Sequence, residues 1–237
     1  MVFWDIEQKI LVVLAHPDDP EFFCGGTLSI WAKEGHEVVY CLLTKGDKGV
    51  NENFKGVDDI KQLRMDEQKK AAEVIGVHKI IFLDNEDGYL MPNLELRKEI
   101  VRVIRRERPD IVVTCDPTNY YLHDIRINHP DHRAAGQAVI DAVFPAAQNE
   151  LFFPDLISDE KLKPHHVKEV WISLPKEPDV FIDVTEVWDN RINALLMHAS
   201  QVGEKDEFIE KMRLRHTRDS NDENPRYEES FHRLILD

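Results

Sequence analysis

The chain has 237 residues, of which 42% are hydrophobic, 32% charged and 8% aromatic, a balance too apolar for a disordered polymer and too charged for a membrane-embedded one. Thirty basic against forty-five acidic side chains leave a net charge of −15, which disfavours a nucleic-acid partner, because that affinity comes largely from Lys and Arg neutralising phosphates. The longest apolar run, Ile10 to Ala15, is far shorter than the roughly 20 residues that cross a bilayer. The opening MVFWDIEQK carries acids where a secretion signal carries basic residues, so a cytoplasmic protein is expected. Cys24, Cys41 and Cys115 are odd in number and lack CxxC spacing, which predicts small buried hydrophobes and no disulfide framework or thiolate zinc cluster.

In chain order, short β-branched runs alternate with longer helical patterns, the signature of βαβ units and a parallel sheet. The strand-like runs are Lys9 to Ala15, Glu37 to Leu43, Lys79 to Leu83 and Asp110 to Cys115. Their continuous hydrophobicity predicts strands covered on both faces. Helices are predicted at about Gly26 to Lys33, Asp58 to Ile75 and Leu94 to Arg106, each followed by a breaker, Gly35, Gly76 or Pro109. A polar segment from Asp116 to Asp131 follows, then a helix near Arg133 to Val143 and a Pro-rich connection from Phe144 to Pro164. Strands at Val170 to Leu174 and Val180 to Val184, a helix near Glu186 to Met197 and a charged helical tail from about Glu204 to Arg218 complete the reading. With no repeat and no Gly/Ser linker, the expectation is one α/β domain over 1–237, with a core at 9–145 and C-terminal strands and helices at 165–237. Its fold class is Rossmann-like and doubly wound, a mainly parallel sheet of order 3-2-1-4-5 with helices on both faces.

Such sheets bind ligands beyond the carboxyl ends of strands, where strand order reverses. That point lies between strands one and four. Strand one runs into His16-Pro17-Asp18-Asp19, and strand four runs into Asp116 and the segment ending His129-Pro130-Asp131-His132. Two acid/histidine clusters are therefore expected at one crevice. Imidazole plus carboxylate is an ordinary ligand set for zinc, whose catalytic sites use three protein ligands and leave the fourth position to water. One of the paired carboxylates Asp18 and Asp19 can ligate while the other acts as base; spacing alone does not say which. The Gly25-Gly26 pair is not a GxGxxG fingerprint, so no nicotinamide cofactor is expected.

The stretch AHPDDPEFFCGGTL (Ala15 to Leu28) and the stretch NHPDHRAAG (Asn128 to Gly136) resemble the two histidine-aspartate motifs of the LmbE-like, or PIG-L, family of zinc-dependent N-deacetylases. Weaker similarities follow the same order: TKGDKG (Thr44 to Gly49), LRMDE (Leu63 to Glu67), Asp87-Gly88, HASQ (His198 to Gln201) and RYEESF (Arg226 to Phe231). Carried over by position, the resemblance implies that His16, Asp19 and His132 hold one zinc ion per chain and that Asp18 is the general base. His129 would stabilise the oxyanion or protonate the leaving amine, oriented by Asp131, and Arg64 would reach a sugar hydroxyl or phosphate. Glu67 is either a site residue or an exposed carboxylate pairing with Lys69 or Lys70, and His198 either faces the site or packs behind it. The resemblance also suggests a homo-oligomer. Pro20 departs from the family's usual Glu or Ala and should hold Asp19 extended. His36, His78, His165 and His166 are expected at the solvated surface.

The implied reaction is hydrolysis of an acetamide on an N-acetylglucosamine-type sugar or conjugate, with a small-molecule partner; no nucleic-acid partner and no membrane span are expected. A metal-dependent phosphoesterase, or a non-catalytic metal- or sugar-binding protein using the same crevice, are the alternatives. Specificity is expected from the loops Lys48 to Val57, Tyr120 to Ile127 and Phe152 to Pro164. Tyr120, Tyr121 and Phe152 are candidates to stack on a sugar ring or to pack a subunit interface. Arg64, Arg126 and Arg133 could give the pocket a locally positive rim despite the acidic whole.

Overall fold

A computed structural model describes residues 3–54, 59–122 and 126–236. Strands β1 (Lys9–Leu14), β2 (Glu37–Thr44), β3 (Lys79–Asn85), β4 (Ile111–Cys115), β5 (Glu169–Ser173), β6 (Val180–Asp183) and β7 (Glu228–Ile235) form one seven-stranded sheet of order β3-β2-β1-β4-β5-β7-β6. The first five strands are parallel, in the expected 3-2-1-4-5 arrangement. β7 runs antiparallel to both β5 and β6. It was not foreseen as a strand, because RYEESF alternates weakly and carries two adjacent glutamates.

Side chains alternate across a strand, and here the alternation divides the apolar runs between two cores. Ile10, Val12 and Leu14 face Leu28, Trp31, Ala71, Ile75, Ile192 and Leu195 on one side. Leu11, Val13 and Ala15 face Ile100, Ile104, Ala135 and Val139 on the other. The helices follow suit: α1 (Asp19–Lys33), α2 (Ile60–Ile75) and α6 (Trp188–Leu196) cover the first face, α3 (Leu94–Glu107) and α4 (Pro130–Asp141) the second. All three cysteines are buried and unpaired, as expected. No helix among the described residues is long and apolar enough to cross a membrane.

Helix boundaries follow their caps. Asp59 Oδ1 accepts the Gln62 N–H and Gly76 closes α2 in the left-handed conformation; the expected start at Asp58 lies outside the described residues. Asn93 Oδ1 caps α3 through the Leu96 N–H. The largest correction is to α1, which begins at Asp19 and not at Gly26. It bends at Cys24, whose φ of −151° is non-helical, and the bend releases the N–H groups of Gly26 and Thr27. Both are taken by the Glu229 carboxylate, at 2.9 and 2.7 Å. The predicted start is thus the second half of a kinked helix capped from β7. The Phe144–Pro164 connection is not featureless either: it holds a π-helical turn at Ala142–Ala147 and the short α5 (Pro154–Ser158).

Gly136 lets α4 sit directly on the end of β4. A Cβ at that position would lie 2.2 Å from the Cys115 carbonyl oxygen, a backbone atom with no room to yield. Gly136→Ala is expected to destabilise by about 1–3 kcal/mol, a fall of roughly 2–12 °C in Tm; an unchanged melting curve would contradict this seating.

Candidate active site

The crevice forms where β1 and β4 end. Beyond β1 the chain turns at once into α1, and Asp18 takes φ +89°, ψ −28°. A non-glycine residue in this region carries about 1–3 kcal/mol of strain, which surrounding contacts must hold in place. Arg64 and Gln68, one turn apart on α2, supply them. Arg64 Nη2 donates to the Pro17 carbonyl and lies 3.2 Å from Asp18 Oδ2, while Gln68 Oε1 accepts the Asp18 N–H at 2.9 Å.

On the β4 side, Pro130 occupies the first turn of α4, where its missing N–H is harmless, and His129 caps the helix with Nδ1 accepting the Asp131 N–H at 3.2 Å. The start of α4 thereby delivers two imidazoles to the crevice. His132 Nε2 stands 3.1 Å from Asp19 Oδ1, and its Nδ1 meets Asn128 Oδ1 at 3.0 Å. The other Asp19 oxygen accepts the His16 N–H at 2.8 Å and faces His16 Nδ1 at 3.4 Å. Rings of His16 and His129 meet edge-on with centroids 4.8 Å apart. The two clusters therefore converge, and His16, Asp18, Asp19, His129, Asp131 and His132 come together.

Asp87 was not foreseen as a site residue; only its place in an Asp-Gly pair singled it out. Its Oδ1 lies 3.1 Å from His16 Nε2, and its Oδ2 accepts the Lys48 N–H. Asp131 Oδ2 shares the same His16 nitrogen at 3.3 Å and also accepts the Gly88 N–H, while Oδ1 accepts that of Leu90. Asp131 is expected to orient His129. It does so through its backbone N–H, and its carboxylate instead fastens the 87–90 loop to His16.

Other expectations are revised by burial. Arg64 was expected at a substrate hydroxyl or phosphate; it is 3% exposed, and besides Pro17 and Asp18 its guanidinium donates to Gly46. Glu67 is no exposed helix-face carboxylate: it is buried and accepts both the N–H and hydroxyl of Ser200. His198 packs behind the site, its Nε2 3.2 Å from Glu21 Oε2. Asp116 is held in its own turn by Thr118 and the Lys176 N–H. His36 is buried, with Nδ1 accepting the Gln8 N–H. Phe152 packs against the second core, whereas Tyr120 and Tyr121 are exposed and Arg133 lies over the Tyr120 ring at 4.5 Å. Residues 55–57 and 123–125 of the expected specificity loops lie outside the described residues.

The charges fit the geometry. Burial pushes the Asp18 carboxyl up to about 6; Arg64 opposes this and Asp19 adds to it. Burial acts the same way on Asp19, but the facing imidazoles of His132 and His16 outweigh it and hold the carboxyl well below its ordinary range. For Asp87, burial is outweighed by the His16 bond and the Lys48 N–H, bringing it to about 2. His129 moves down, first by burial and then by the neighbouring His16 and His132. Because its Nδ1 accepts from Asp131, its proton sits on Nε2.

Two groups of side chains could hold a metal among the described residues. One is His16, His129 and His132, the other His16, Asp87 and Asp131, with ligand atoms within 4.8 Å of one another in each. Nitrogen and carboxylate donors at this density match the chemistry of a zinc site.

Residues 11–143 match the family described as PIG-L, GlcNAc-PI de-N-acetylase. The chain is 38% identical over 197 residues to a diacetylchitobiose deacetylase of Thermococcus kodakarensis, spanning 83% of this chain and 71% of that one. It is 29% identical over 201 residues to a probable N-acetyl-alpha-D-glucosaminyl L-malate deacetylase 2 of Bacillus cereus, spanning 83% and 84% respectively. Its structure is similar to that of N,N'-diacetylchitobiose deacetylase from Pyrococcus horikoshii complexed with its inhibitor MPG. The TM-score is 0.83 at 28% identity, covering 96% of this chain and 84% of the other.

Proposed function

Because this chain belongs to the PIG-L family, we propose that it is a zinc-dependent hydrolase removing the acetyl group from an N-acetylglucosamine-type sugar or sugar conjugate. The observation that carries this reading is the meeting of Asp18 and Asp19 with His16, His129 and His132, in which the Asp19 carboxylate stands 3.1 Å from His132 Nε2 and 3.4 Å from His16 Nδ1. His16, Asp19 and His132 would hold the zinc. For His16 the free ligand atom is Nδ1, because Nε2 already faces the carboxylates of Asp87 and Asp131, the arrangement by which a ligating imidazole is oriented through its other nitrogen. The chemistry that a zinc ion would supply there is polarisation of the acetamide carbonyl and a lowering of the attacking water's pKa to about 7.

The chain's own groups handle the protons and the charge. Asp18, raised to about 6, is a stronger base than an ordinary carboxylate and still ionised at neutral pH, which suits a general base. It takes a proton from the water as oxygen attacks the acetyl carbon. His129 is neutral with its proton on Nε2, so it offers a donor to the developing oxyanion. When the C–N bond breaks, the proton collected by Asp18 goes to the leaving amine, and acetate and the free amino sugar depart. Arg64 keeps the Asp18 carboxylate aimed while being shielded from water itself.

Acetate release is expected from a panel of N-acetylated mono- and disaccharides, with one zinc per chain by elemental analysis, loss of turnover on chelation and recovery on adding zinc. Phosphate release from phosphomonoesters without acetate release, or saturable sugar binding with no product, would replace this reading with one of its alternatives.

A further inference from the structure

Asp18, Arg108, Phe153, Lys161 and Leu174 are the non-glycine residues with positive φ among those described, and only Asp18 lies at the site. Its conformation depends on one peptide unit. The Pro17 carbonyl is held by Arg64 and the Asp18 N–H by Gln68, so both ends of the Pro17–Asp18 peptide plane are clamped from α2. Turning that plane over would carry Asp18 out of the left-handed region and swing its carboxylate away from the crevice. Arg64 also touches the carboxylate itself; Gln68 touches only the backbone.

An amide side chain can present either its oxygen or its nitrogen, so Gln68 works as an acceptor only if something fixes its orientation. Glu21 does. Gln68 Nε2 donates to Glu21 Oε1 at 3.0 Å, and a carboxylate can only accept, which leaves Gln68 Oε1 for the Asp18 N–H. The other Glu21 oxygen faces His198 Nε2. Gln68, Glu21 and His198 are all fully buried, so no water competes for these bonds.

We propose that Gln68 is a positioning residue for the catalytic base, holding Asp18 in its left-handed backbone conformation, with its amide orientation dictated by Glu21. The inference rests on the deacetylase reading, with Asp18 as base. Gln68→Met keeps the length of the side chain and removes the acceptor. It is expected to lower kcat about tenfold to a hundredfold, the scale of an ångström-sized misplacement, with KM and zinc content unchanged. In an Asp18→Asn background, where no base remains to be positioned, the same substitution is expected to cost nothing further. The paired exchange Gln68→Glu with Glu21→Gln preserves an acceptor toward the Asp18 N–H and reverses the bond behind it; kcat is expected within about threefold of wild type.

Wild-type kcat in Gln68→Met, or an equal additional loss in the Asp18→Asn background, overturns the inference. If Gln68→Met has no cooperative melt, Glu21→Gln takes its place, since it frees the Gln68 amide to turn. A several-fold fall in kcat that the paired exchange reverses supports the inference, and no fall or no reversal overturns it. Full turnover in Asp18→Asn alone would remove the underlying base assignment. Wild-type kcat in Gln68→Met beside an inactive Asp18→Asn would sink only the role of Gln68.

Discussion

Asp18→Asn should give a folded protein with its full complement of zinc and a turnover lower by about 10²–10⁴-fold, the usual contribution of a positioned general base. Asparagine is among the residues that tolerate positive φ best, so the strained turn at φ +89° is retained. Its amide is nearly isosteric with the carboxyl group but takes no proton at neutral pH. The measurement pairs steady-state acetate release with elemental analysis and a melting curve on the same preparation. Normal turnover would remove Asp18 from the base role, and loss of zinc would reassign it as a ligand.

His132→Ala is the complementary experiment. Zinc content should fall from one per chain to near zero after dialysis against a weak chelator, and activity with it. The variant should also lose stability in the metal-free state, on the order of 1–3 kcal/mol, the cost of leaving a buried polar group short of a partner, because Asp19 is buried and His132 stands 3.1 Å from its Oδ1. Asp87→Ala makes the contrast. If zinc survives His132→Ala and is lost in Asp87→Ala, the metal belongs to the His16, Asp87 and Asp131 group and not to the ligand set proposed above.

What the sequence disclosed and what it withheld have physical causes. The continuous apolar runs of β1, β2 and β4 announced strands buried on both faces, and from their order the convergence of His16-Pro17-Asp18-Asp19 with His129-Pro130-Asp131-His132 followed. Those contacts hang directly on strand ends, so topology alone brings them together. Asp87 was different, because it sits on a loop fastened by the N–H groups of Lys48, Gly88 and Leu90 to Asp87 and Asp131 themselves, and nothing local marks a loop closed by long-range bonds. Arg64 misled, and Glu67 stayed ambiguous, for a related reason. On a helix with charges on several faces, a buried arginine bonded to the carbonyls of Pro17 and Gly46 reads the same as an exposed one. The kink in α1 was invisible because its cap, Glu229, arrives from the far end of the described chain, and β7 because two glutamates within it mask its apolar alternation.

The position of β7 also bears on how the protein is made. β5 and β6 precede it by more than forty residues, yet β7 lies between them and pairs with both. Glu229 must travel 203 positions along the chain to reach Gly26. At a synthesis rate of about 5–20 residues per second, the kinked helix that opens on Asp19 waits roughly 10–40 s on the ribosome for its cap. For the last part of that interval, roughly 3–11 s between the emergence of Ser173 and that of Glu228, the β5 edge stands unpaired and open to other chains. A pulse of synthesis followed by protease challenge should therefore find the second half of α1, from Gly26 onward, protected only once β7 has emerged.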